Sequence, residues 1–156
     1  MKHRSISIQA DNGTDISAQT PLIVSASRAT DIPAFYADWF FHRLKKGYVR
    51  WRDNYVSFAD TRFIVFWSKN PAPLMPYLHI LKEQGIGCYI QFTLNDYEAD
   101  GLEPHLPPLT QRIDTFHRFI EMLGPGAVVW RFDPLILTDS IDSEALLAKI
   151  VHIGNA

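Results

Sequence analysis

Arg131 and Asp133 close the apolar run "VVWRFDPLIL" with a cation and a carboxylate two residues apart. An ionised pair at a buried strand end is costly unless its members are paired or engage a ligand, which makes both residues site candidates. The run "FIVFWSKNPAPL", residues 63 to 74, ends similarly, with Ser68, Lys69 and Asn70 between its apolar part and two prolines. Lys69 offers a point charge to a carboxylate or phosphate, and Asn70 offers both a donor and an acceptor. "CYIQFTL" contributes Gln91 and Thr93, and "SASRATDIP" contributes Ser27, Arg28, Thr30 and Asp31. Arg28, Lys69 and Arg131 can together face an anionic group, with Asn70, Gln91 and Asp133 directing polar groups on the same ligand.

Competing readings exist for several of these positions. "SKNPAP" also fits plain turn chemistry, with Asn70 held extended by Pro71 and Lys69 solvated. Ser25, Ser27 and Thr93 fit satisfied interior packing or helix capping as well as they fit ligand contact.

Other chemistries lack their residues. Cys88 is the only cysteine, so the chain alone forms neither an internal disulfide nor a multi-thiolate metal site. The six histidines show no metal-ligand spacing, and Asp114 with His117 reads as a surface pair. No serine sits in a G-x-S-x-G turn. Lys and Arg number 15 against 17 Asp and Glu, a formal net charge of -2, so no overall basic field draws nucleic acid or anionic lipid. The run "HRLKKGYVRWR", from His42 to Arg52, mixes basic and aromatic residues as a single-strand-binding patch does, but reads better as a helix end complementing the dipole. No apolar run reaches the roughly 18 residues of a membrane span, and the N-terminus lacks the apolar core of a signal peptide. A soluble cytoplasmic protein is expected.

The elements that must position the candidates are four strand-length apolar runs: "PLIVSAS", "RFIVFW", "CYIQFTL" and "AVVWRF". Each is followed by a polar turn and then by a helical period. Asp31 and Pro33 suit a first helix whose stripe is Phe35, Trp39, Phe40 and Leu44 and which ends at Gly47. A second starts near Pro73 and buries Leu74, Leu78 and Leu81. A third carries Ile113, Phe116, Ile120 and Leu123 on one face and stops at Gly124. A fourth starts after Asp142 or Ser143 and runs through Leu146, Leu147 and Ile150. "SISIQADNGTDISA" reads as an N-terminal β-hairpin, and "GYVRWRDNYVSF" as a short strand pair.

This alternation predicts an α/β fold with parallel βαβ units, in a single domain spanning 1–156. A doubly wound nucleotide-binding sheet would carry a glycine-rich turn after a strand, and none is present. Polar residues recur on one parity near the strand ends: Ser25 and Ser27; Ser68 and Asn70; Gln91, Thr93 and Asn95; Arg131 and Asp133. The opposite parity, including Val65 and Trp67, Ile90 and Phe92, is apolar. That pattern predicts half of a TIM-type barrel with helices outside and a polar interior. Half a barrel leaves two open edges and an uncovered face, so the chain reads as the N-terminal half of a longer protein, a truncation, or a half that pairs with another copy. The loop from Asp96 to Pro108 is long enough to be a lid or simply mobile.

With "SASRATDIPAFY", "FIVFWSKNP", "YIQFTLNDY" and "VVWRFDPLIL" in this order, residues 22 to 150 resemble the bacterial and archaeal family called domain of unknown function 1848. The resemblance implies a radical S-adenosylmethionine-like barrel whose full-length members carry a C-terminal cysteine cluster. This chain would then be the substrate-binding half, inactive alone, with no cofactor of its own. A 4Fe-4S cluster and S-adenosylmethionine would belong to the full-length protein. Ala29, where members commonly carry a second Arg, and Ser68, where many carry Thr, depart from the family pattern. The alternative is a non-catalytic binding module that pairs with another chain. Neither a membrane nor a nucleic-acid partner is expected.

Overall fold

The structure, a computed structural model, describes residues 4–27 and 29–156. The chain opens with the expected hairpin, β1 (Ser5–Gln9) and β2 (Asp15–Gln19), paired antiparallel from Ser5 with Gln19 to Gln9 with Asp15. β3 (Ile23–Ser25) leads into α1 (Ile32–Phe35) and α2 (Ala37–Lys46). Gly47 ends α2 in the left-handed conformation, φ 86°, where its N–H reaches the carbonyls of Arg43 and Leu44. β4 (Tyr48–Trp51) and β5 (Asn54–Ser57) form the expected strand pair. β6 (Phe63–Ser68) precedes a 3-10 turn, Ala72–Tyr77, that continues into α3 (Leu78–Glu83). β7 (Gly87–Thr93), α4 (Leu109–Leu123), β8 (Val128–Arg131) and α5 (Ser143–Gly154) complete the chain.

Two four-stranded sheets result. One is mixed, ordered β1-β2-β5-β4, because β2 joins β5 in parallel; the other is wholly parallel, ordered β3-β6-β7-β8. The α/β class and the parallel pairing agree with the sequence reading. No closed barrel forms among the described residues: β3 and β8 are the outer strands of an open sheet.

The parallel sheet is covered on one face. Ile64, Phe66, Ile90, Phe92 and Val128 pack with Phe40, Phe41 and Leu44 of α2, Leu78 and Leu81 of α3, and Leu109 and Phe119 of α4 in one buried cluster. Fully burying each such side chain contributes on the order of 2–3 kcal/mol, so this layer is what keeps the helices on the sheet. The other parity is half-buried or exposed, including Phe63, Trp67 and Val129. The Phe63 ring lies so close over Gly87 on this face that a Cβ there would stand 2.7 Å from it.

The register corrects the expected parity of β6. Trp67 pairs with Gln91 and Ser68 with Phe92, and register partners share a face. Val65 and Trp67 therefore line the open face, while Ser68 turns toward the helices. A one-residue shift exchanges the faces completely, and the polar end of β6 invited that shift because Ser68 serves a helix cap and not the sheet interior. The first helix also differs from its expected stripe. It breaks at Tyr36 into α1 and α2, leaving Phe35 and Trp39 exposed while Phe40 and Leu44 are buried. On α5, Leu146 is buried but Leu147 is not.

Candidate functional site at the strand ends

The turns after the four parallel strands meet at one end of the sheet, and Asp31 ties the first two together. Its Oδ1 accepts the Ala34 N–H at 3.0 Å, capping α1, while Oδ2 accepts the Ser68 hydroxyl at 2.9 Å and the Lys69 N–H at 3.2 Å. Ser68 Oγ in turn accepts the Asn70 N–H at 2.9 Å. Burial raises the Asp31 carboxyl above the ordinary aspartate range, against the lowering effect of those three donors. Asp31 and Ser68 thus position the second turn. Asn70 is half-buried beside them, Ser27 is buried with no hydrogen-bond partner for its hydroxyl among the described residues, and Thr30 is exposed. Arg28 lies outside the described residues.

Lys69 points its ammonium at Glu103, on the loop between β7 and α4, and forms an ion pair with Glu103 Oε1. Glu103 Oε2 is buried without a partner among the described residues. Burial pushes the Lys69 ammonium below the ordinary lysine range; the Arg112 guanidinium adds to the effect and the Asp133 carboxylate opposes it. Arg112 is itself buried on α4, donating to the carbonyls of Pro107 and Asn95 at 3.0 Å each. Asn95 Nδ2 reaches the Asp133 carbonyl at 3.2 Å, which ties the third turn to the fourth.

The long loop is thereby fixed at many points. Besides Glu103 and Arg112, the Tyr97 hydroxyl donates to the Pro134 carbonyl at 2.8 Å and accepts the Ile136 N–H at 3.0 Å, Glu98 accepts the Leu109 N–H at 3.1 Å, and Lys149 holds Asp100 at 2.9 Å. It forms a built roof beside the second turn.

On the open face, Arg131 is partly accessible. One edge of its guanidinium donates to Gln91 Oε1 at 2.9 Å and another to Asp133 Oδ2 at 3.1 Å, and it lies over Trp67 with Cζ 5.5 Å from the ring centroid. Its side chain stays 37% exposed, so donors remain for a ligand. Thr93 is the register partner of Arg131 on the neighbouring strand.

The structure therefore brings Lys69, Gln91, Thr93, Arg131 and Asp133 to one end of the sheet, in two groups: an internal pair around Lys69 and an accessible group around Arg131. Glu103, Arg112 and Trp67 escaped the sequence reading. Glu103 sits in the long loop from Asp96 to Pro108 and Arg112 on a helix, with no local pattern marking either, and Trp67 lies on the open face and not on the apolar parity expected for it. A second concavity, about 530 Å³, runs along the outer side of β3 and is lined mainly by Ile23, Val24, Tyr36, Trp39, Val49 and Trp51.

No group of three His, Cys, Asp or Glu side chains among the described residues is placed to hold a metal ion. Cys88 is half-buried in β7, and burial pushes its thiol up to about 11.

These features define a parallel α/β protein with a charged, hydrogen-bonded surface at its strand ends. Residues 23–156 match the family described as domain of unknown function (DUF1848), and the chain belongs to that family. No curated protein and no solved structure matches it significantly.

Proposed function

We propose that the strand ends form one wall of a binding site for a small molecule carrying a carboxylate or phosphate, in the substrate-binding half of a barrel enzyme. Arg131 carries this reading: a partly exposed guanidinium, set on a strand, aligned by Gln91 and Asp133 and backed by an indole. Arginine forks of this kind suit planar anions, and support from strands gives the precision a site needs. The barrel part is supported by strand order, since β3-β6-β7-β8 follows chain order and its helices pack on one face. Doubly wound sheets reverse direction and carry helices on both faces.

The residues present do not fit an iron–sulfur cluster, because a single cysteine cannot supply the several thiolates that hold one. In this reading the chain contributes recognition, and the chemistry of a radical S-adenosylmethionine-like enzyme would be completed by residues beyond these. A soluble, cytoplasmic setting is part of the same reading.

The test is calorimetric titration of the protein with citrate, inorganic phosphate and a sugar phosphate. Arg131→Ala should weaken the binding found by about 10- to 100-fold, the loss expected for hydrogen bonds to a charged group. Binding unaffected by that change, in a variant with an unchanged circular dichroism spectrum, rejects the assignment.

A further inference from the structure

Lys69 and Arg131 are two cations at the same end of the parallel sheet, and their counter-ions reach them in different ways. Arg131, on β8, pairs at 3.1 Å with Asp133, two residues further along the chain. Lys69 directly follows β6, and its partner Glu103 comes from the roof, 34 residues away. Only β7 separates β6 from β8, so the two cations stand on backbones about 10 Å apart. The Asp133 carboxylate that binds Arg131 is also felt by the Lys69 ammonium, which places both cations in one electrostatic environment. Two positive charges there are balanced by two carboxylates.

Glu103 occupies a costly position on a lightly held segment. Its Oε1 meets Lys69, while Oε2 is buried with no partner among the described residues. A carboxylate oxygen withdrawn from water without a donor raises the free energy of this arrangement. The roof is anchored on both flanks of Glu103, by Lys149 on Asp100 and by Arg112 on the Pro107 carbonyl. Between those anchors, Leu102 and Leu106 donate only long bonds of 3.4 Å, to the Tyr97 and Glu103 carbonyls of the same loop, and Pro104 and His105 are exposed. Gly101, at φ 67°, gives the segment a joint beside its first anchor. Among the described residues, Lys69 is the side chain that ties this tip to the sheet by an ion pair.

We propose that Glu103 is a resident stand-in for a ligand carboxylate: it neutralises Lys69 in the free protein and leaves when a small molecule with two anionic groups binds, one group at Arg131 and the other at Lys69. This rests on the anion-binding reading above and narrows the ligand to a dianion, such as a dicarboxylate with a short chain between its charges. Exchanging one carboxylate for another at Lys69 conserves the ion pair and returns Glu103 Oε2 to water, so the swap itself costs little. A ligand with a single anionic group is served by Arg131 alone and leaves Lys69 paired. Glu103 thereby sets both the charge count of the ligand and the position of the roof tip.

Calorimetric titration with acetate and with glutarate, joined to amide hydrogen exchange, tests this. Glutarate should bind wild type more tightly than acetate does, and Glu103→Gln should tighten glutarate by about tenfold, the gain expected when a site no longer has to be vacated first, while leaving acetate unchanged. Glu103→Ala, which leaves no amide to hold the loop, should do the same, and Lys69→Met should remove the advantage of glutarate over acetate. Exchange at Leu102 and Leu106 should quicken when glutarate is added to wild type. Glutarate binding that Glu103→Gln and Glu103→Ala both leave unchanged or weaken, with unchanged circular dichroism spectra, overturns the proposal and makes Glu103 a strut of the roof; so does unchanged exchange at the two leucines. Absence of glutarate binding in a protein that still binds inorganic phosphate through Arg131 overturns the dianion and leaves the anion wall standing. Glutarate binding that Glu103→Gln tightens but Arg131→Ala leaves alone supports the exchange at Lys69 and rejects the assignment of Arg131.

Discussion

Trp67 and Arg131 meet on the open face across the whole width of β7, the guanidinium carbon 5.5 Å from the indole centroid, with Gln91 between them as a hydrogen-bond acceptor. Three adjacent strands each supply one member, so the arrangement depends on register and on no loop. It also places an aromatic reporter against the cation proposed to bind the ligand.

Arg131→Ala should therefore destabilise the fold by about 1–2 kcal/mol, combining a partly exposed cation–π contact with hydrogen bonds left unmade at Gln91 and Asp133. Urea unfolding followed by tryptophan emission measures it. Arg131→Lys should recover little of the loss, since an ammonium cannot reach Gln91 and Asp133 with one planar fork. Full recovery with lysine would show that charge alone matters there.

Asp31 predicts a pH dependence of a definite sign. Its folded-state pKa lies above the ordinary value of 3.8, so between 3.8 and that raised value the folded protein binds more of this proton than the unfolded chain does. That contribution is complete below pH 3.8 and declines as the pH rises through the raised value. Asp31→Asn keeps a capping oxygen for Ala34, loses the acceptor of the Lys69 N–H, and should flatten this decline while lowering stability overall. Urea midpoints across acidic to neutral pH read both effects; a steeper decline in the variant contradicts the assignment.

Lys69 and Glu103 should show strong coupling in a double-mutant cycle. Their side chains are 30% and 17% exposed, between a surface pair and a buried one. Either Lys69→Met or Glu103→Gln alone strands a charge and should cost about 1–3 kcal/mol, and the double variant should cost less than the sum. Additive losses would mean that the two groups act independently.

Much of the frame was readable because it rests on local rules. Asp31 and Asp142 both cap helices as their types and positions foretold, and Gly47 and Gly124 follow helix ends. The four apolar runs became the four parallel strands in chain order. What escaped depends on pairings between distant segments. The parity of β6 was misread because polar residues at its end looked alike from either face, and only the register with β7 separates Trp67 from Ser68. Glu103 meets Lys69 through a roof held by Tyr97, Asp100 and Arg112, contacts spread over α4, α5 and the turn after β8. The parallel joint between β2 and β5 was equally invisible, since a hairpin and a strand pair each look complete without the other.

That joint bears on how the chain is assembled during synthesis. β2 and β5 bring Ala18 beside Tyr55 and Gln19 beside Val56, so every strand of the mixed sheet has been made once Ser57 leaves the ribosome. The parallel sheet at that moment has only β3, and Phe40, Phe41 and Leu44 on α2 still wait for β6 to cover them. Early in translation the nascent chain therefore carries a finished ribbon fastened to a sticky, half-clad helix, and emergence of Phe63–Ser68 is the event that relieves it.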